Sequence, residues 1–294
     1  MKIVMIDAFK PEYLKNAPYL SSLTEKFQWG ELEMPLGFEG GMKTFFYGKN
    51  DALAFFYKTE KSRFGWTRGF YWIGRLPLEI LINLQRLIKR KRLFRTGDIP
   101  LKKIWNFDTE VEKSFEKIKG IEYTYIGELD KISHKYGTKS KETIETIKKI
   151  DMEISKSKFD IILSDHGMID IKKTISAPET ESCMIDSTFA RYWGEKPEFY
   201  SKEGKWIEWK DKRYGDYIFL ANPGVLISPN YWQGKKIIKA MHGYDSKCED
   251  MKAIYILNKE GKKRNINAEE LHKIFISMKN EQTGNLSKIQ NGGF

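Results

Sequence analysis

The stretch Ile161-Ile162-Leu163-Ser164-Asp165-His166-Gly167-Met168 constrains this chain more than any other. A short apolar run that stops at an Asp-His pair and a glycine reads as a buried strand delivering two metal-ligating side chains at its carboxyl end. A second such run, Lys2 to Ile6, ends at Asp7 and turns through Ala8-Phe9-Lys10-Pro11 into a helix expected over residues 17–27. Open α/β sheets place ligands outside the carboxyl ends of their strands, which is where both sets of side chains fall. Taken alone, Asp7 reads better as a helix N-cap.

The rest of the chain alternates in the same way. A helix over 110–118 leads to a strand over 121–126, and a long helix over 139–157 precedes the Asp165-His166 strand. If the segment 128–137 is helical, Asp130 and His134 lie four apart on one face and can share a metal, although such a pair is as often a plain surface pair. Short strands over 217–220 and 225–227 bracket Asn222-Pro223-Gly224, and a third ligand-bearing turn, Ala240-Met241-His242-Gly243-Tyr244-Asp245, precedes a strand over 253–257. This pattern predicts an α/β fold in one domain over 1–279, followed by a polar, fraying tail over 280–294. The four histidines include His272, which reads as a solvated helix residue.

Two regions are less regular. Pro35, Gly37, Gly40 and Gly41 make a turn, and a short helix follows from about Glu39 to Tyr47, its N-terminus suited to an anion. Residues 60–105 form an insert that crowds aromatic and basic side chains together and then carries an apolar stripe (Ile80, Leu84, Leu87, Ile88) ending in Lys89-Arg90-Lys91-Arg92. Such a segment lies on an anionic membrane surface, grips an acidic substrate, or is a plain surface helix whose basic end complements its dipole. The net charge of +11 favours anionic partners, yet no nucleic-acid motif accompanies it. Two cysteines without a paired spacing, an N-terminal strand in place of a leader, and no apolar window of ~18 residues lead to the expectation of a cytoplasmic protein.

Together these turns and the segment 128–137 supply three carboxylates, Asp7, Asp130 and Asp165, and three imidazoles, His134, His166 and His242. That donor set suits two borderline divalent ions, zinc above manganese or iron, and a close ion pair suits phosphoryl transfer because it neutralises charge on the phosphoryl oxygens. Arg191 and Arg213 are of the type that grips phosphate bidentately, with a surface arginine the equal alternative for each.

Asp7, Asp130-x-x-x-His134, Ser164-Asp165-His166-Gly167-Met168 and His242-Gly243-Tyr244-Asp245 occur in an order that resembles the alkaline phosphatase superfamily, most of all its type I phosphodiesterase/nucleotide pyrophosphatase branch. The resemblance runs from residue 1 to about 260, outside the insert. It implies a three-layer sandwich around a mixed, mostly parallel sheet, and hydrolysis of a phosphorylated, nucleotide-like substrate. It further implies that Asp130, His134 and His242 bind one zinc and that Asp7, Asp165 and His166 bind the other. One position departs from the family pattern. A Thr or Ser nucleophile belongs at the start of a helix upstream of a Thr-Gly pair; here Tyr47-Gly48 stands at that pair and the register lands on Phe38 or Glu39. Three readings follow: Glu39 as an extra ligand or the base for a water, Thr44 as nucleophile, or an inactive relative that binds metal and phosphate and acts through a partner or a membrane surface.

Overall fold

A computed structural model describes residues 1–38, 40–49, 51–58, 107–109, 120–233 and 237–291, with the backbone alone described at 40, 107–109 and 282–291. Glu39, the insert over 60–105 and the helix expected over 110–118 lie outside the described residues. In chain order the elements begin β1 (Lys2–Ile6), α1 (Pro18–Thr24), β2 (Phe27–Glu33), α2 (Gly40–Tyr47), β3 (Phe56–Lys58), β4 (Phe107–Thr109) and β5 (Glu122–Ile126). They continue with α3 (Glu128–Tyr136), α4 (Lys141–Ile154), β6 (Ile161–Leu163), β7 (Ile169–Asp170), β8 (Lys173–Ile175), β9 (Cys183–Ile185) and β10 (Phe189–Tyr192). The last are β11 (Gly204–Ile207), β12 (Tyr217–Ala221), β13 (Val225–Ile227), β14 (Ala240–Met241), β15 (Ala253–Glu260), β16 (Ile266–Asn267) and α5 (Ala268–Asn291).

The described residues fall into two compact units, one within Met1–Leu53, Glu112–Ile171 and Ile238–Phe294, the other within Ala54–Val111 and Lys172–Ile237. The first is built on a six-stranded sheet in the order β16-β2-β15-β6-β1-β5. β1 lies between β5 and β6, parallel to both, and β15 runs antiparallel to β6 and β2. Alternation along β1 sends its side chains to two opposite cores. Ile3 and Met5 join Ile161, Leu163, Tyr255 and Leu257 under Phe45 and Phe46 of α2 and Leu271 and Phe275 of α5. Val4 and Ile6 join Ile162, Ile254 and Ile256 under Leu20 and Leu23 of α1, Leu129 of α3 and Ile147 and Ile150 of α4. A mixed, mostly parallel sheet between two helical layers is the expected three-layer architecture.

Several side chains fix the helices. Ser140 caps α4, its Oγ accepting from the Thr143 amide at 3.1 Å. The buried Asp151 of α4 accepts the Tyr19 and Leu20 amides at 2.9 and 2.8 Å, capping α1 from a neighbouring helix. His272 departs from its reading as a solvated residue: it is half-buried, and its Nδ1 lies 2.8 Å from the Phe45 carbonyl near the end of α2. There it satisfies an oxygen that the helix terminus leaves without an internal partner. α1 stops at Thr24, short of the expected residue 27, because Phe27 already belongs to β2. α5 continues to Asn291, past residue 280 where the sequence reading ends the domain.

The second unit holds the antiparallel sheet β11-β12-β10-β9. Asp186 and Arg191 flank the β9–β10 turn, both fully buried, with Arg191 Nε donating to Asp186 Oδ2 at 2.8 Å. Arg191 Nη1 donates to the Phe56 carbonyl at 2.6 Å, and Trp232 Nε1 donates to Asp186 Oδ1 at 2.9 Å. A guanidinium enclosed in this way is a structural ion pair, which corrects both readings of Arg191, as a phosphate contact and as a surface residue. Arg213 is half-exposed and committed to Asp211, with Nη2 to Oδ2 at 2.6 Å. Both cysteines are free thiols. Among the described residues no helix is long and apolar enough to cross a membrane.

Candidate metal centre

All six candidate ligands belong to the first unit. Asp7 follows β1, Asp165 and His166 follow β6, Asp130 and His134 lie one turn apart on α3, and His242 follows β14. Their side chains are between 11% and 22% exposed, withdrawn from bulk water yet reachable. Gly167 allows the β6 turn to pack. A Cβ there would lie 2.0 Å from the Asp250 carbonyl oxygen, so no other residue fits without moving that loop. The turns after β1 and β6 are clipped together: Ser164 Oγ accepts from the Phe9 amide at 2.8 Å, and Asp165 Oδ1 accepts from the Ala8 amide at 3.3 Å. Between them Ala8 is held at a φ of 63°, a left-handed conformation that costs a non-glycine residue ~1–2 kcal/mol.

The histidines are oriented from behind. His134 Nδ1 lies 2.7 Å from the Ala240 carbonyl, and His166 Nδ1 lies 2.9 Å from that of Gly167. A carbonyl only accepts, so each Nδ1 donates, which fixes the ring and turns Nε2 forward. His134 Nε2 stands 3.2 Å from Asp130 Oδ1, and His166 Nε2 stands 3.3 Å from Asp7 Oδ1 and 3.5 Å from Asp165 Oδ2. His242 Nε2 is 3.8 Å from Asp130 Oδ1. The rings of His166 and His242 stack at 3.7 Å between centroids, and the edge of Phe38 meets His242 at 5.3 Å.

This arrangement is electrostatically incomplete without a cation. Asp7 Oδ1, Asp130 Oδ1 and His242 Nδ1 are buried without a hydrogen-bond partner, a state that costs ~1–3 kcal/mol per group. Burial, then the charges of Asp165 and Asp130, push the Asp7 carboxyl well above its ordinary range. Burial likewise raises Asp165, against the opposing charge of His166. Asp130 goes the other way: burial would raise it, but His134, then His242 and His166, hold it below the usual carboxylate range. Burial would lower His134, but Asp130 and the Ala240 carbonyl outweigh it and raise the imidazole. His242 is pulled well down by burial and by His166. Donors that face one another in this way fit a divalent cation, which would satisfy the orphaned carboxylate oxygens and relieve the crowding at once.

Among the described residues two triads have ligand atoms within 4.8 Å of one another: Asp7, Asp165 and His166, and Asp130, His166 and His242. The first is the set that the resemblance implies. The second differs in placing His166 where the resemblance places His134, whose Nε2 is the nearest to Asp130. Thr44 of α2 is 1% exposed, closed to solvent, with its hydroxyl unpartnered. Tyr125 was not singled out by the sequence, yet its hydroxyl donates to Asp7 Oδ2. Burial and the Asp7 charge raise that phenol far above its ordinary value.

No family model matches the sequence, nor does any curated protein. Solved structures do match. Murine ectonucleotide pyrophosphatase/phosphodiesterase 5 aligns with a TM-score of 0.65 at 13% identity, over 95% of this chain and 95% of that one. An inactive form of the murine protein in complex with AMP aligns with a TM-score of 0.64, and the human protein with 0.63, each over 95% of this chain and 94% of the other. At that coverage the likeness spans the whole architecture, and the chain has the alkaline phosphatase-like fold of the nucleotide pyrophosphatase/phosphodiesterases.

Proposed function

We propose that this chain is a dimetal phosphoesterase that hydrolyses a phosphodiester or pyrophosphate bond in a nucleotide-like substrate. The observation that carries the reading is the convergence of three carboxylates and three imidazoles at the carboxyl end of the sheet, with buried oxygen and nitrogen atoms left unpartnered. Asp130, His134 and His242 would hold one ion and Asp7, Asp165 and His166 the other, zinc being the best match to mixed imidazole and carboxylate donors. Two divalent ions bound there supply charge neutralisation on the phosphoryl oxygens. The nucleotide-like substrate is supported by the AMP held by a solved neighbour. The net charge of +11 supports an anionic substrate and suits contact with an anionic membrane surface.

The attacking group is assigned to water. The register of the family's nucleophile lands on Phe38 or Glu39, neither of which carries a hydroxyl, and Thr44 is closed to solvent. Glu39, adjacent in sequence to Phe38, is the candidate base that takes the proton of the attacking water. The second reading, a metal- and phosphate-binding relative without turnover, is favoured by the same Phe38, whose ring edge lies against His242. Hydrolysis of a chromogenic phosphodiester and a nucleotide panel by the zinc-loaded protein, beside Asp165→Ala prepared identically, separates the two. Turnover abolished in the variant supports the enzyme. Zinc retention without turnover of any substrate supports the second reading.

A further inference from the structure

The two oxygens of Asp7 have different surroundings. Oδ1 faces His166 Nε2 at 3.3 Å without a hydrogen bond, whereas Oδ2 receives the Tyr125 hydroxyl. Tyr125 reaches it from the adjacent strand: Met5 pairs with Tyr125 across β1 and β5, and the Asp7 amide donates to the Ile126 carbonyl at 3.0 Å. The ring is 55% exposed, so burial of its apolar body does not dictate this pose. The chain instead makes room for it. A Cβ on Gly127 would lie 2.7 Å from Tyr125 Cε1 and from its hydroxyl oxygen, although the backbone there, φ −97° and ψ 8°, is open to other residues.

We infer that Tyr125 is a positioning residue that occupies one oxygen of Asp7 and thereby reserves the other for metal, setting Asp7 as a monodentate ligand. A carboxylate with two free oxygens close to an ion swings between one-oxygen and two-oxygen coordination, and a donor fixed on one of them removes that freedom. Partners behind a ligand orient it, and their loss typically lowers metal affinity 10–100-fold. The inference rests on the metal reading of the site and concerns this chain's own groups.

The test is metal binding. Zinc affinity is measured by competition with a chromophoric chelator for the wild type, Tyr125→Phe and Gly127→Ala, and cobalt(II) absorption spectra report coordination number. Tyr125→Phe is expected to lower affinity at one of two sites about 10–100-fold and to weaken the cobalt d–d bands as Asp7 becomes bidentate. Gly127→Ala, which displaces the ring and keeps the hydroxyl, is expected to shift affinity the same way. Affinity within twofold of wild type in both variants overturns the inference and leaves the metal centre standing. So does a raised KM with unchanged metal affinity, which would make Tyr125 a substrate contact. A wild type that binds neither zinc nor cobalt overturns the inference together with the metal reading.

Discussion

Asp165→Asn is expected to change the sign of its effect on stability with metal. The ligand atoms of Asp7, Asp165 and His166 lie within 4.8 Å of one another, so two full charges at that separation repel by about 3.5 kcal/mol at an effective dielectric constant of about 20. Protonation of the two raised carboxyls takes up part of this, leaving a gain of about 1–3 kcal/mol for the neutral amide in metal-free protein. The amide oxygen still accepts from the Ala8 amide, so the turn keeps its clip. At about 2–4 °C per kcal/mol, the variant should melt about 2–12 °C above wild type in chelator. With zinc at about 1,000 times its dissociation constant, wild type gains about 4 kcal/mol per site, while the variant, deprived of an anionic ligand, gains much less, and the order reverses. Scanning calorimetry in EDTA and in excess zinc reads both differences. An effect of the same sign in both buffers would refute the reasoning, since Asp165 would then be a structural carboxylate or a solvated one.

Asp186→Asn should cost about 3–5 kcal/mol in urea unfolding, because it leaves the fully buried Arg191 without a counter-charge; a cost below 1 kcal/mol would show that the pair is relieved by water. Asp151→Ala removes two charge-assisted bonds to the first turn of α1 and should cost about 2–3 kcal/mol in the same assay, whereas Asp151→Glu recovers little because the longer side chain overshoots the amides. Glu12 is held down at about 2 by Lys15, which with Lys10 outweighs the opposing effect of burial. Its contribution to stability is therefore fully present above its ordinary 4.5 and is lost as pH falls through about 2. Glu12→Gln should lower stability at neutral pH, where the contribution is fully present, leave it nearly unchanged below about pH 2, and so flatten the acid limb between.

What was legible in the sequence follows from how local each signal is. β1 and β6 are buried on both faces, so they appear as apolar runs, and the candidate ligands Asp7, Asp165 and His166 stand out among the first polar residues past them. β2 was overlooked because its only buried positions are Gly30 and Leu32, while Phe27, Gln28 and Trp29 are all half-buried, which leaves no clean period to read. Tyr125 sits in a Glu-Tyr-Thr-Tyr-Ile strand that carries no sign of which hydroxyl reaches across to the neighbouring strand. Arg191 and His272 failed for the same reason: a guanidinium facing Asp186 and an imidazole on a distant helix's carbonyl are tertiary facts. Glu39 and the basic insert lie outside the described residues, so their proposed roles stand on sequence and charge alone.

The central place of β1 has a consequence for how the chain is made. Lys2 pairs with Glu122 and Ile3 with Ile161, so β1 leaves the ribosome long before either neighbour exists. At about 5–20 residues per second that delay is on the order of ten seconds, during which an apolar strand has both hydrogen-bonding edges open. A nascent chain of this design calls for a holding chaperone early in synthesis. His242 would complete the proposed ligand set only after β6 has docked, so metal capture would mark the end of assembly and could not template its beginning.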